Sequence, residues 1–165
     1  MKNKNVLFLT QAAMIAALYT VLTLLINAFQ LANGAIQVRI SEALTCLPYF
    51  TPAAIPGLFI GCFISNAVTG CHILDTLFGS LATLLGALGT YGLRRWKWAA
   101  PVSPILSNTI IIPFILSYVY EFDGSIPFFM LTVGIGEVLS CGVLGLFLLF
   151  TLDKYKGKIF HNYSS

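Results

Sequence analysis

The stretch VLFLTQAAMIAALYTVLTLLIN, Val6 to Asn27, decides the fold class, because it carries no charge and is long enough to cross a bilayer. Crossing the hydrocarbon as a helix takes roughly 20 apolar residues, since every backbone N–H and C=O in lipid must find its partner within the segment. Lys2 and Lys4 precede the run and no convincing cleavage site ends it, so it reads as a first span and not as a signal peptide. The remainder has the same character. Of 165 residues, 58% are hydrophobic and 9% charged, whereas a soluble domain carries about 25% charged residues. One soluble core cannot hide that much apolar surface, but a bilayer can. At roughly 20 residues per crossing, the length admits at most about six or seven spans and no second domain.

Five further spans follow: Ile36 to Phe50, Pro52 to Thr69, Asp75 to Leu93, Pro101 to Tyr120 and Ile126 to Leu152. The second is short and interrupted by Arg39, Glu42 and Pro48. The predicted fold is therefore all-α, a single transmembrane domain of six helices over residues 1–165. Charge placement sets its orientation. Lys2 and Lys4, the loop with Arg94, Arg95 and Lys97, and the tail with Lys154, Lys156 and Lys158 fall on one side under six spans. The positive-inside rule makes that side, and both termini, cytoplasmic. Glu121, Asp123 and His72 fall on the other side, and only Arg39 breaks the pattern. Trp96 and Trp98 suit a headgroup anchor. Glycines recur through the third, fourth and sixth spans, as close helix packing in lipid requires. Cys46, Cys62, Cys71 and Cys141 form no CxxC pair and read as small buried hydrophobes. No internal repeat is visible, which weakens the case for a self-contained secondary transporter.

An ionisable group inside a span costs roughly 2.5–3.5 kcal/mol on insertion scales and is a functional candidate by default. Arg39 and Glu42 are three apart, so on a helix they can pair, either as a self-neutralising ion pair or as the polar wall of an outward pocket. Glu137, in GIGEVLSCG, has no cation within a turn and lies near mid-membrane. It needs a partner through space, from a ligand or from another helix. Asp75 fits a helix N-cap as well as it fits a ligand contact. Asn66 and Asn108 serve equally as interhelical hydrogen-bonding groups or as readers of a ligand edge, with Asn108 placed toward the inner end of its span. Ala12, Ala13, Ala16 and Ala17 form two overlapping AxxxA pairs, a flat face for a helix of this chain or of another. GxxxxGK[ST], HExxH and GxSxG are all absent. The chain is therefore expected to be no enzyme, to bind no ATP of its own, and to hold no metal or cofactor, and no nucleic-acid partner is expected.

The stretch GAIQVRISEALTCLPYFTPAAIPGLFIGCFISN, Gly34 to Asn66, resembles the signature of the queuosine-precursor transporter (QueT) family, as does LDTLFGSLATLLGALGTY, Leu74 to Tyr91. Proteins of that type resemble the substrate-binding S components of energy-coupling factor (ECF) transporters. The resemblance implies a six-helix protein of the cell membrane that binds a vitamin-like molecule from outside. It also implies docking, through small residues of the first helix, to a T component driven by two ATPase subunits; Ala12, Ala13, Ala16 and Ala17 match that face. The implied substrate is a 7-deazaguanine such as preQ1, preQ0 or queuine. Glu137 is then the first candidate for its guanine-like edge or ammonium, Glu42 and Arg39 the second, and Asn66, Asn108 and Asp75 further contacts. The loop Ala28 to Ala35, with Phe29, Gln30 and Asn33, is a candidate gate. A self-sufficient carrier or channel is the alternative.

Overall fold

A computed structural model describes residues 4–29, 39–121 and 124–159. Among them there is no strand. The order is α1 (Lys4–Ala28), a 3₁₀ segment (Ile40–Tyr49), α2 (Ala54–Val68), α3 (Ile73–Gly92), a 3₁₀ turn (Lys97–Ala99) and α4 (Val102–Tyr118). Then α5 (Ile126–Glu137), a π segment (Val138–Leu144) and α6 (Gly145–Ile159) follow without a break. Four helical stretches are long and apolar enough to cross a membrane: Lys4–Ala28, Ile73–Gly92, Lys97–Tyr118 and Ile126–Lys156. At 1.5 Å per residue, the 20 residues of α3 reach about 30 Å, the thickness of the hydrocarbon. The 15 residues of α2 reach only about 22 Å.

Burial runs opposite to that of a soluble protein. Leu9, Met14, Val68, Ile73, Leu131, Phe147 and many other large apolar side chains face outward. Ser41, Glu42, Thr45, Ser65, Asn66, Asp75, Ser80, Thr83, Asn108, Thr132, Glu137 and Ser140 are buried. Only a surrounding apolar solvent makes that distribution favourable, because in lipid it is the polar groups that must find partners inside the bundle.

The second expected span takes a different form. Ile40–Tyr49 is a ten-residue 3₁₀ rod with Pro48 inside it, and everything from Ser41 to Pro48 is buried. At about 2.0 Å per residue it covers roughly 20 Å, too short to cross alone. It runs antiparallel to α1: the Thr23 hydroxyl donates to Ser41 Oγ (2.8 Å), Tyr19 reaches Glu42, and Thr51, just past the rod, donates to Gln11 Oε1 (3.0 Å). The rod is thus wrapped by α1, α2, α3, α6 and the π segment. Residues Gln30 to Val38, which hold most of the candidate gate and the start of that span, lie outside the described residues.

Two close approaches set α1. A Cβ at Gly57 would lie 2.7 Å from the Ala12 carbonyl oxygen, and one at Gly61 would lie 2.9 Å from that of Ala16. Only glycine lets α2 come that near. At one end of the bundle Lys97 bonds Asp153 (2.6 Å), with Lys156 on its other oxygen (3.2 Å), so the α3–α4 connection is tied to the last turns of α6. Each lysine favours the ionised Asp153, whose pKa is held below the usual carboxylate value, Lys97 contributing most through its hydrogen bond. At the opposite end the Tyr120 hydroxyl donates to Asp75 Oδ2 (2.9 Å) and accepts from the His72 backbone N–H (3.2 Å), joining the end of α4 to the start of α3.

Candidate ligand-binding site

The polar interior is built on a stripe of α3. Asp75, Gly79 and Thr83 recur every four residues and so share one face. The stripe descends about 12 Å from the first turn of the helix toward the middle of the bundle. At its upper end Asp75 Oδ1 and Asn66 Nδ2 both border the space that a side chain at Gly79 would fill, at 3.3 and 3.2 Å. At its lower end the Thr83 hydroxyl lies 3.4 Å from Glu42 Oε1 and 3.2 Å from the Gly79 carbonyl oxygen, and shares its one proton between them.

Glu42 is the centre of the arrangement. It is wholly buried in the first turn of the 3₁₀ rod. The Tyr19 hydroxyl, from α1, donates to the same Oε1 that Thr83 addresses. Oε2 is buried and has no hydrogen-bond partner among the described residues. Glu137 closes α5, immediately before the helix widens into the π segment, a distortion found often at functional sites. One turn on, the Cys141 thiol donates to Glu137 Oε2 (3.2 Å) and also lies 3.4 Å from the Glu42 backbone carbonyl and 3.4 Å from the Thr45 hydroxyl. Ligand atoms of Glu42, Glu137 and Cys141 all fall within 4.8 Å of one another. That spacing would also suit a metal ion, a possibility the sequence reading, with its expectation of no metal, does not contain. The Asn108 amide of α4 stands beside both carboxylates.

The six residues singled out in the sequence therefore fall into two groups. Glu42, Glu137 and Asn108 meet in the middle of the bundle, and Asp75 and Asn66 meet nearer the Tyr120 end. Arg39 leads toward the second group. It precedes the rod in extended backbone, so the three-residue spacing does not bring it onto Glu42 as it would on a helix. No ion pair joins Arg39 and Glu42 among the described residues, and the acidic group acting most strongly on Arg39 is Asp75. Asp75 is not the cap of α3; His72 takes that place, its Nδ1 accepting from the Leu74 N–H (3.3 Å).

The alanine face divides. Ala12 and Ala16 are buried toward Gly57 and Gly61 of α2, while Ala13 and Ala17 remain exposed. Tyr19, Thr83 and Cys141 line the same buried cluster and are not among the candidates of the sequence reading. Two faint signals point to them: Glu137 and Cys141 are four apart, and so are Asp75, Gly79 and Thr83.

Comparison with known proteins bears on this geometry. Residues 9–154 match the family described as QueT transporter. The chain is 28% identical to the queuosine precursor transporter QueT of Lactococcus lactis subsp. cremoris (strain MG1363), over 93% of this chain and 96% of the relative. No solved structure matches. A match running from the first helix to the last, across every element that contributes to the buried polar centre, shows that the chain belongs to the QueT transporter family.

Proposed function

We propose that this chain is the substrate-binding S component of an ECF-type importer in the cell membrane, taking up a queuosine precursor of the 7-deazaguanine class. The observation that carries this reading is the buried centre of Glu42, Glu137 and Asn108 in a chain whose relative is named for queuosine-precursor transport. A guanine-like ring offers N–H groups to carboxylates, a carbonyl to an amide, and flat faces. The chain forms one domain of six membrane segments, the second being the 3₁₀ rod together with the chain that leads into it. Both termini lie in the cytoplasm at the Lys97–Asp153 end, which also bears Arg94, Arg95 and Lys154. Ligand enters from the opposite end, past Arg39, Asp75, Asn66 and Tyr120. The exposed Ala13 and Ala17 extend the flat side of α1 toward a T component, and two ATPase subunits supply the energy.

Titration of the purified protein with preQ1, preQ0, queuine and guanine tests the binding role. At least one 7-deazaguanine binds more tightly than guanine, and Glu137→Ala weakens it by more than tenfold, about 1.4 kcal/mol, while the variant still inserts. Unchanged affinity in that variant would remove Glu137 from the site. Vesicles holding this chain alone bind ligand without accumulating it; accumulation would mark a self-sufficient carrier.

A further inference from the structure

A continuous polar wall joins the central cluster to the Tyr120 end of the bundle. On α2, Cys62 and Asn66 are four apart and share a face. Cys62 Sγ lies 3.4 Å from the Thr83 hydroxyl and 3.7 Å from Asn66 Nδ2, so it bridges the lower and upper parts of that wall. Between them α3 leaves a gap, where Gly79 presents no side chain. A Cβ there would stand 3.2 Å from Asn66 Nδ2, 3.3 Å from Asp75 Oδ1 and 4.0 Å from Ile112 Cδ1 of α4. Helix backbone floors the gap, and a methyl, an amide and a carboxyl bound it.

The two oxygens of Asp75 are unequally used. Oδ2 accepts from the Tyr120 hydroxyl (2.9 Å). Oδ1, on a residue only 5% exposed, has no hydrogen-bond partner among the described residues and borders the gap. An acceptor left unmade in such a place is costly. Asp75 stands in the first turn of α3, where a helix favours negative charge. Arg39 feels Asp75 more than any other acidic group, yet no ion pair joins them among the described residues. Asn66, 3% exposed, has only the Cys62 sulfur beside its nitrogen, and a half-turn of its amide brings the oxygen to the same space. The balance of charged groups points the same way. Glu42, Asp75 and Glu137 are the buried acidic side chains, and Arg39 is the basic one that bears on all three. A neutral N–H answers one acceptor. A small ammonium, with three donors, answers Asp75 Oδ1 and the Asn66 oxygen together and lessens the excess of acid.

We infer that Asp75, Asn66 and the gap at Gly79 form a second subsite, which takes an ammonium carried on a short arm of the ligand while the guanine-like edge goes to Glu42, Glu137 and Asn108. This ligand class rests on the function proposed above. The stripe from Asp75 to Thr83 rises about 12 Å, room for a two-ring system with a one-carbon arm and a hydrogen bond of about 3 Å at either end. The arm runs through the gap along the α3 backbone. Gly79 then sets the size of the arm that is admitted, and Asp75 its charge. The aminomethyl group of preQ1 satisfies both conditions; the nitrile of preQ0 satisfies only the first.

Three ligands test this on the purified full chain in nanodiscs: 7-deazaguanine with an aminomethyl arm, with a hydroxymethyl arm, and with none. The hydroxymethyl arm matches the aminomethyl in size and lacks its charge. Wild type binds the aminomethyl compound at least tenfold more tightly than the hydroxymethyl one. Asp75→Asn removes that preference by weakening the aminomethyl compound alone. Gly79→Ala weakens the aminomethyl compound at least fivefold and leaves the bare ring unchanged. Should Asp75→Asn not insert, Gly79→Ala carries the test of place and the hydroxymethyl ligand the test of charge. No preference in wild type overturns the subsite, as does an equal loss for all three ligands in Asp75→Asn, which would make Asp75 a structural partner of Tyr120 or Arg39. A preference that survives Asp75→Asn but vanishes in Glu137→Gln would put the ammonium in the centre and overturn it too. If the bare ring binds and the arm adds nothing, the subsite falls and the proposed function stands. If none of the three binds, the proposed function fails and takes the subsite with it.

Discussion

Tyr19 and Thr83 place two hydroxyls on one oxygen of Glu42. In lipid a single interhelical hydrogen bond is worth about 0.6 kcal/mol on average and at most about 1.7. The Tyr19 contact belongs toward the upper end, because the acceptor is a carboxyl oxygen and is wholly buried. Tyr19→Phe should therefore lower ligand affinity by roughly tenfold, about 1.4 kcal/mol, with little change in insertion. Adding Thr83→Val should cost more than the sum of the single changes, because the second loss leaves that oxygen with no donor. Isothermal titration of the four proteins of this cycle measures the coupling. Residue identity made Glu42 and Glu137 legible in the sequence, since charge in an apolar run is costly wherever it stands. Their adjacency was not legible. They lie far apart in the chain on different elements, and no periodicity links a rod before α2 to the end of α5. Tyr19 and Thr83 escaped notice because hydroxyl side chains are ordinary in membrane helices, where they bond back to their own backbone, as Thr83 also does to Gly79 (3.2 Å).

At the scale of elements, α1 and α2 meet through Gly57 and Gly61, and a Cβ at Gly61 would also come within 2.9 Å of the Tyr19 Cβ. The same contact that packs the two helices thus fixes the height of the Tyr19 hydroxyl against Glu42. Gly57→Ala forces a methyl onto a backbone carbonyl, which cannot yield as a side chain can. Such overpacking costs about 1–3 kcal/mol. Thermal unfolding in detergent should show a lower midpoint for Gly57→Ala and no drop for Gly92→Ala, where nothing lies within 4 Å. Long helices were readable from apolar length alone: α1, α3, α4 and the continuous run from α5 to α6 each cover one of the long apolar runs of the sequence, although α6 continues to Ile159, past Leu152. The second span was not readable in its true form. Its length, Pro48 and Glu42 show an irregular segment, but a 3₁₀ rod sheathed by helices is a product of tertiary packing, which hydropathy does not encode. The split of the alanine face has the same origin, because AxxxA cannot say which of its two registers another helix will take.

For the whole molecule, the apolar exterior and polar interior leave few exposed ion pairs to hold the ends together. Among the described residues the ion pairs are those of Asp153 with Lys97 and Lys156. With its pKa held below the ordinary carboxylate value, Asp153 contributes stability that is present at neutral pH and lost only as pH falls through that lowered value. The contribution is small, since water and salt reach the lysines. Asp153→Asn should lower the unfolding midpoint slightly at low ionic strength and hardly at all at high salt. A salt-independent effect would mean that Asp153 acts by packing.

The 3₁₀ rod carries one more consequence. With three residues per turn it is a three-edged prism, and Glu42, Thr45 and Pro48 fall on a single edge. Glu42 and Thr45 both meet Cys141 from it. Adding or deleting one residue inside Ile40–Tyr49 would rotate everything beyond it by about 120° and deliver a different edge to each neighbour. Evolution can therefore change side chains on this prism one at a time, but its residue count is locked, and relatives should tolerate length variation in their loops far sooner than here.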